Sequence, residues 1–98
     1  MTPVADHQRA IDALDDEIIA LLARRFVHSR QIGEIKLSLG QPPYDPKRMH
    51  DQHARFVAAC GGQGLDEGMA RQLIAMIAAQ VLVERVETYR LGVPGGGA

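Results

Sequence analysis

The stretch from Ala5 to Leu39 constrains the fold of this 98-residue chain most strongly, because it contains no proline and only one glycine, Gly33. Apolar residues recur within it at steps of three or four, at Ile11, Leu14, Ile18, Leu21, Ile32, Ile35 and Leu39. This spacing places the apolar side chains on one face of a helix. It therefore predicts a single long amphipathic helix over residues 5–39.

Two shorter helices are predicted after it. The paired prolines Pro42 and Pro43 cannot continue a helix, so the first one must end before them. Asp45 followed by Pro46 is typical of a helix start, with an N-cap and then proline at the first helical position. This signal predicts a second helix over residues 46–60.

The third helix is predicted to begin where Leu65 and Asp66 supply a hydrophobic residue followed by a cap. It extends to about residue 91 and stops at Gly92. Residues 92–98 are expected to form a flexible tail. The result is an all-α fold in which residues 1–98 form a single domain.

Composition narrows the possible functions. Eleven basic and twelve acidic residues leave a formal charge of −1, which argues against a dedicated nucleic-acid binder. A lone cysteine, Cys60, rules out an internal disulfide and a multi-cysteine zinc site. The sequence shows no apolar run near the roughly 18 residues of a membrane span and no signal-peptide pattern at its start. We therefore expect a cytoplasmic protein without a membrane partner.

The length of the first helix predicts a dimer. About 34 helical residues span roughly 50 Å, whereas a compact domain of this size has a radius of gyration of about 13 Å. Two shorter helices of one chain cannot cover so long an apolar stripe. We therefore expect an intertwined homodimer whose six helices form one bundle.

Basic residues interrupt the apolar faces. Arg25 occupies a seam position of the first helix, and Lys36, eleven residues later, points in nearly the same direction. Arg48 lies in the first turn of the second helix. Arg85 lies on an apolar face of the third helix and interrupts it. Because an unpaired buried cation is costly, these four cations predict an interior pocket for a small polyanion.

A structural explanation of these cations is also open. In this explanation, Arg25 forms an ion pair with an internal carboxylate such as Asp15 or Glu84, and the other cations extend their charged ends into solvent.

The segment Ile11–Arg25, IDALDDEIIALLARR, resembles the first helix of the AroQ-class, all-helical chorismate mutases, whose pattern is I-D-x-L-D-x-x-[LI]-[LI]-x-L-L-x-x-R. The resemblance extends over residues 7–90. It includes Lys36, eleven residues after Arg25, the Asp45-x-x-Arg48 motif and a long third helix. It implies a homodimer with two equivalent sites shared between protomers. It also implies rearrangement of chorismate to prephenate, in the shikimate pathway to phenylalanine and tyrosine, with no metal and no cofactor.

The resemblance also implies roles for four residues. Arg25 matches the arginine that binds a carboxylate of the dicarboxylate substrate, and Lys36 the lysine that contacts a carboxylate and donates to the ether oxygen. Arg48 matches the arginine that opens the second helix. Asp45 matches the acidic cap near the substrate hydroxyl.

At four positions the chain departs from the family pattern. Gln8, beside Arg9, stands where an arginine normally reaches into the partner's site. Met49 replaces the glutamate that grips the substrate hydroxyl, and Val81 replaces a small hydroxyl residue. Arg85 replaces a glutamine or glutamate that donates to the ether oxygen, and as a cation it donates more strongly to a developing negative charge.

Three alternatives to a chorismate mutase remain open at this point. The same scaffold supports isochorismate pyruvate lyases, and the altered contact at Met49 suits a 4-amino-4-deoxychorismate mutase. The third is a non-catalytic helical dimer.

Overall fold

The computed structural model describes residues 2–92, and within this range the chain forms three α-helices and no strand. The helices are α1 (Pro3–Ser38), α2 (Pro46–Gly62) and α3 (Glu67–Gly92). Each bound lies within two residues of the predicted one. The expected tail began at Gly92, but this residue ends α3, and residues 93–98 lie outside the described part of the chain.

Local signals explain where each helix begins and ends. The side chains of Thr2, Asp45 and Asp66 each accept a hydrogen bond from the backbone amide three residues later, at 3.0, 3.2 and 2.9 Å. Gly40 and Gly64 adopt positive φ, 69° and 78°, just after α1 and α2. Because side chains disfavour that conformation, glycine is needed at both turns.

α3 is the central element of the chain. It packs against both α1 and α2, whereas those two helices make no contact with each other. The buried hydrophobic residues are few, and all of them lie on α2 and α3: Cys60, Ala70, Ile74 and Ile77. The chain is accordingly elongated, with extents of 62 × 27 × 16 Å and a radius of gyration of 17.7 Å.

The predicted apolar stripe of α1 is not buried in a single chain. All seven of its residues are exposed, from 49% for Ile32 to 64% for Leu39. The chain therefore carries an uncovered hydrophobic face along its longest helix, which a water-soluble fold rarely leaves open. None of the described helices is long and apolar enough to cross a membrane.

Candidate active site

The three helices and the α1–α2 connection enclose a cavity of about 460 Å³. Its walls include seven of the eight residues predicted from the sequence to bind or convert a substrate: Arg25, Lys36, Asp45, Arg48, Met49, Val81 and Arg85. The tertiary structure thus brings together residues that are up to 60 positions apart in the sequence.

Helical spacing explains why these side chains converge. On α1, Arg25, Ser29, Ile32 and Lys36 follow one another at steps of four, three and four residues, so they share one face. The α2 wall begins with Arg48 and Met49 and continues one turn later, and the α3 wall runs from Ile74 to Arg85 with the same periodicity. The cavity lies where these three faces meet.

The cavity is strongly electropositive. Arg25, Lys36, Arg48 and Arg85 line it, whereas Asp45 is the sole acidic residue in its walls. The Asp45 carboxylate is already engaged, because Oδ1 accepts the backbone amide of Arg48 as the cap of α2. Excess positive charge in a concave, partly apolar wall favours an anionic ligand.

The carboxylates of α3 do not neutralise this charge. Glu84 accepts hydrogen bonds from Arg30 at 2.9 Å and from Gln80 at 3.3 Å. Glu87 is paired with Arg90, whose hydrogen bond at 2.6 Å lowers the pKa of the Glu87 carboxyl.

The structural explanation of Arg25 is therefore wrong. Glu84 has another partner, and among residues 2–92 the side chain of Arg25 makes no ion pair with Asp15 or any other carboxylate. The side chains of Lys36 and Arg48 likewise form no ion pair within the described range. Three cations thus face the cavity without a protein counter-charge.

Arg85 is held by neutral acceptors. Its Nη1 donates to the carbonyl of Pro43 at 3.0 Å, and its Nη2 donates to the carbonyl and hydroxyl oxygens of Ser29 at 3.1 and 3.2 Å. Its side chain crosses α1 at the buried residue Gly33, where an added Cβ would lie 2.9 Å from Arg85 Cδ. None of these partners is anionic, so no ion pair offsets the charge of the guanidinium at the cavity wall.

The α2 position that follows Arg48 carries no carboxylate. Met49 occupies it, and the Tyr44 hydroxyl donates to the Met49 sulfur at 3.4 Å. One turn further along α2, the buried Nε2 of His53 has no hydrogen-bond partner among the described residues. Val81 makes the facing α3 wall apolar.

Gln8 is the predicted site residue that does not line the cavity. It precedes Arg25 by 17 residues, about 26 Å along α1. Its neighbour Arg9 forms an ion pair with Asp6 in the same helical turn. Within one chain, the first turns of α1 therefore lie far from the site.

Several residues of the cavity wall were missed by the sequence analysis. Ser29 lies on the α1 face between Arg25 and Lys36, and Gln52 and His53 continue the α2 face by one turn. Extending the helical periodicity from the charged residues would have identified all three. Tyr44 lies in the non-helical connection, where no periodic pattern points to it.

Comparisons with known proteins show which family the chain resembles. A family model described as chorismate mutase type II matches residues 7–85, a range that includes every cavity residue named above. A chorismate mutase from Methanocaldococcus jannaschii is 30% identical over 81 residues, which cover 83% of this chain and 77% of that protein.

The close approach of Arg85 to Gly33 generates a stability prediction. Alanine at Gly33 places a Cβ against Arg85 and displaces the side chain, whereas alanine at Gly61, also helical, meets no atom within 4 Å. Both variants gain helix propensity of up to about 1 kcal/mol. We expect Gly33→Ala to be about 1–3 kcal/mol less stable than Gly61→Ala in chemical denaturation. Equal stability of the two variants would contradict the observed crossing.

Proposed function

Because the chain belongs to the chorismate mutase type II family, we propose that the cationic cavity is where it rearranges chorismate to prephenate. The chain is accordingly an isomerase. The assignment of the site rests on the convergence of Arg25, Lys36, Arg48 and Arg85 on one cavity. Among residues 2–92, the first three of these side chains have no carboxylate partner. A dicarboxylate substrate supplies the missing negative charge.

The chemistry of the reaction suits such a site. The rearrangement is intramolecular: the ether C–O bond breaks while a new C–C bond forms, and no atom is gained or lost. What lowers the barrier is selection of a compact substrate conformation and stabilisation of the negative charge that develops on the ether oxygen. Fixed cations and hydrogen-bond donors perform both tasks without proton transfer.

Each cation has a proposed role. Arg25 and Arg48, on different helices, bind substrate carboxylates. Lys36 contacts a carboxylate and donates to the ether oxygen. Arg85 can donate to the same oxygen, because its bonds to Ser29 and Pro43 occupy only part of its five N–H groups.

The remaining proposed contacts are weaker. Asp45 lies near the region of the substrate hydroxyl, whereas Met49 and Val81 line the cavity without charge. The hydroxyl therefore lacks the carboxylate acceptor that the family pattern places at Met49. A protonated amine at this position needs an acceptor even more than a hydroxyl does, which makes a 4-amino analogue the less favoured substrate.

We further propose that two copies of the chain form an intertwined six-helix dimer. The support is the uncovered apolar face of α1, together with exposed apolar residues of α3 such as Met76 and Val83, at 70% and 61%. The radius of gyration of 17.7 Å also exceeds the roughly 13 Å of a compact domain of this length. A second copy covers both faces.

In this dimer, Gln8 approaches the partner's cavity. The support is its distance of about 26 Å along α1 from the cavity of its own chain. A glutamine there supplies a neutral donor in place of the family's arginine. Arg85 then keeps the number of cations around the substrate at four.

The activity is tested by incubating the purified protein with chorismate and, separately, with isochorismate. We expect the enol-pyruvyl ultraviolet absorbance of chorismate to fall and prephenate to accumulate as the product. Release of pyruvate from isochorismate at a higher rate would instead identify a lyase. If the protein converts neither compound, the non-catalytic helical dimer is the remaining alternative.

Arg25→Ala removes a proposed carboxylate anchor, and Arg24→Ala is its matched control on an exposed face of the same helix. We expect Arg25→Ala to lower kcat/KM for chorismate by at least about 100-fold, since it removes a charged group that stabilises the bound substrate and the transition state. Arg24→Ala is expected to retain activity within about threefold. Similar activity of the two variants would place Arg25 outside the site.

The dimer is tested by sedimentation equilibrium at micromolar concentration. We expect a mass of twice the 10.7 kDa chain. Replacing Leu14, which is 54% exposed in a single chain, with aspartate is expected to dissociate the dimer, because a charge would be buried in its interface. A monomeric parent protein would contradict the shared core.

A further inference from the structure

Two of the residues proposed to bind the substrate, Lys36 and Arg48, lie on helices that do not contact each other. Lys36 lies near the end of α1 and Arg48 near the start of α2, and α1 and α2 pack only against α3. The separation of these two cations therefore depends on how α3 aligns the two helices, on the connecting segment, residues 39–45, and on the contacts that hold that segment in place. Rigid spacing matters here because the substrate carries its two carboxylates at a fixed separation.

Two side chains of α3 hold the connecting segment. The Tyr89 hydroxyl donates to the carbonyl of Gln41 at 2.6 Å, and Arg85 donates to the carbonyl of Pro43 at 3.0 Å. These two side chains are four residues apart, so they project from the same face of α3. Arg85 also reaches Ser29, which ties the segment to α1 as well.

Side chains of one helix pack against glycines of the other in the same region. An added Cβ at Gly33 would lie 2.9 Å from Arg85, and one at Gly92 would lie 2.5 Å from Leu37 Cδ2. The last two turns of α3 thus pack directly along the end of α1. This close packing lets a side chain as rigid as tyrosine reach the connecting segment.

We propose that Tyr89 is a positioning residue which, together with Arg85, clamps residues 39–45 and thereby sets the separation of Lys36 and Arg48. The proposal rests on the roles proposed above for those two cations. Tyr89 acts through the backbone carbonyl of Gln41 and does not line the cavity.

Tyr89→Phe tests the clamp, because it removes one oxygen and keeps the aromatic ring. Thr88→Val is the matched control: it also removes a hydroxyl from α3, but that hydroxyl bonds only to the Glu84 carbonyl within the same helix. We expect Tyr89→Phe to raise KM for chorismate about 3–10-fold and to lower kcat by a smaller factor. The carboxylate contacts of Lys36 and Arg48 are made in both the bound substrate and the transition state, whereas only the contact of Lys36 with the ether oxygen strengthens in the transition state. Thr88→Val is expected to leave both constants unchanged.

Amide hydrogen exchange measures the clamp without any substrate. In Tyr89→Phe the hydrogen-bonded amides of the segment, among them Gly40 and Gln41, are expected to exchange faster than in the parent protein, while the central turns of α3 keep their protection. Arg85→Lys keeps the charge but replaces the planar fork that bonds to Pro43 and Ser29 together with a compact ammonium group. Its effect on KM is therefore expected to be less than additive with that of Tyr89→Phe.

Each outcome of these experiments either supports or contradicts the clamp. Unchanged exchange of residues 39–45 in Tyr89→Phe overturns the clamp. A KM increase in Thr88→Val equal to that in Tyr89→Phe also overturns it, because the effect would then be a general loosening of α3. If the parent protein fails to convert chorismate, the proposed site is wrong, whereas faster exchange confined to residues 39–45 still supports the clamp.

Discussion

Uncompensated positive charge is the constraint on which the site depends. Four cations surround one cavity, and the nearby carboxylates of α3 are bound to Arg30 and Arg90 instead. Positive groups that share one cavity repel one another, and partial burial strengthens the repulsion because water screens it less. Helix geometry places Arg25, Lys36 and Arg48 at the cavity, and neutral oxygens orient Arg85. A bound dicarboxylate relieves the repulsion, so the same arrangement that costs stability provides affinity.

α3 is the element that makes this arrangement possible. It supplies the buried residues Ala70, Ile74 and Ile77 and contacts both other helices, which do not contact each other. Its C-terminal turns also reach the α1–α2 connection through Arg85 and Tyr89. One helix therefore serves both as the hydrophobic centre of the chain and as the support that aligns the cationic faces of α1 and α2.

Much of the site could be predicted from the sequence because helical residues keep a fixed angular relation. The step of eleven residues from Arg25 to Lys36 places both on one face whatever the helix packs against. The caps at Asp45 and Asp66 were predictable for the same reason, since they depend only on local chain geometry. By contrast, the partners of Arg85 could not be predicted, because Ser29 and Pro43 lie 56 and 42 residues away along the chain. A periodic pattern likewise identifies the apolar face of α1 without identifying the surface that covers it.

The amino-acid sequence by itself determined three helices, their ends within two residues, and the face of each helix that carries charge. These properties follow from backbone geometry and from interactions between residues at most a few positions apart. Only the tertiary structure decided that the charged faces enclose a common cavity, that Gly33 makes room for Arg85, and that Tyr89 holds the segment between α1 and α2. Those features depend on contacts between distant parts of the chain, whose geometry is set by how the helices pack and not by the order of residues within any one of them.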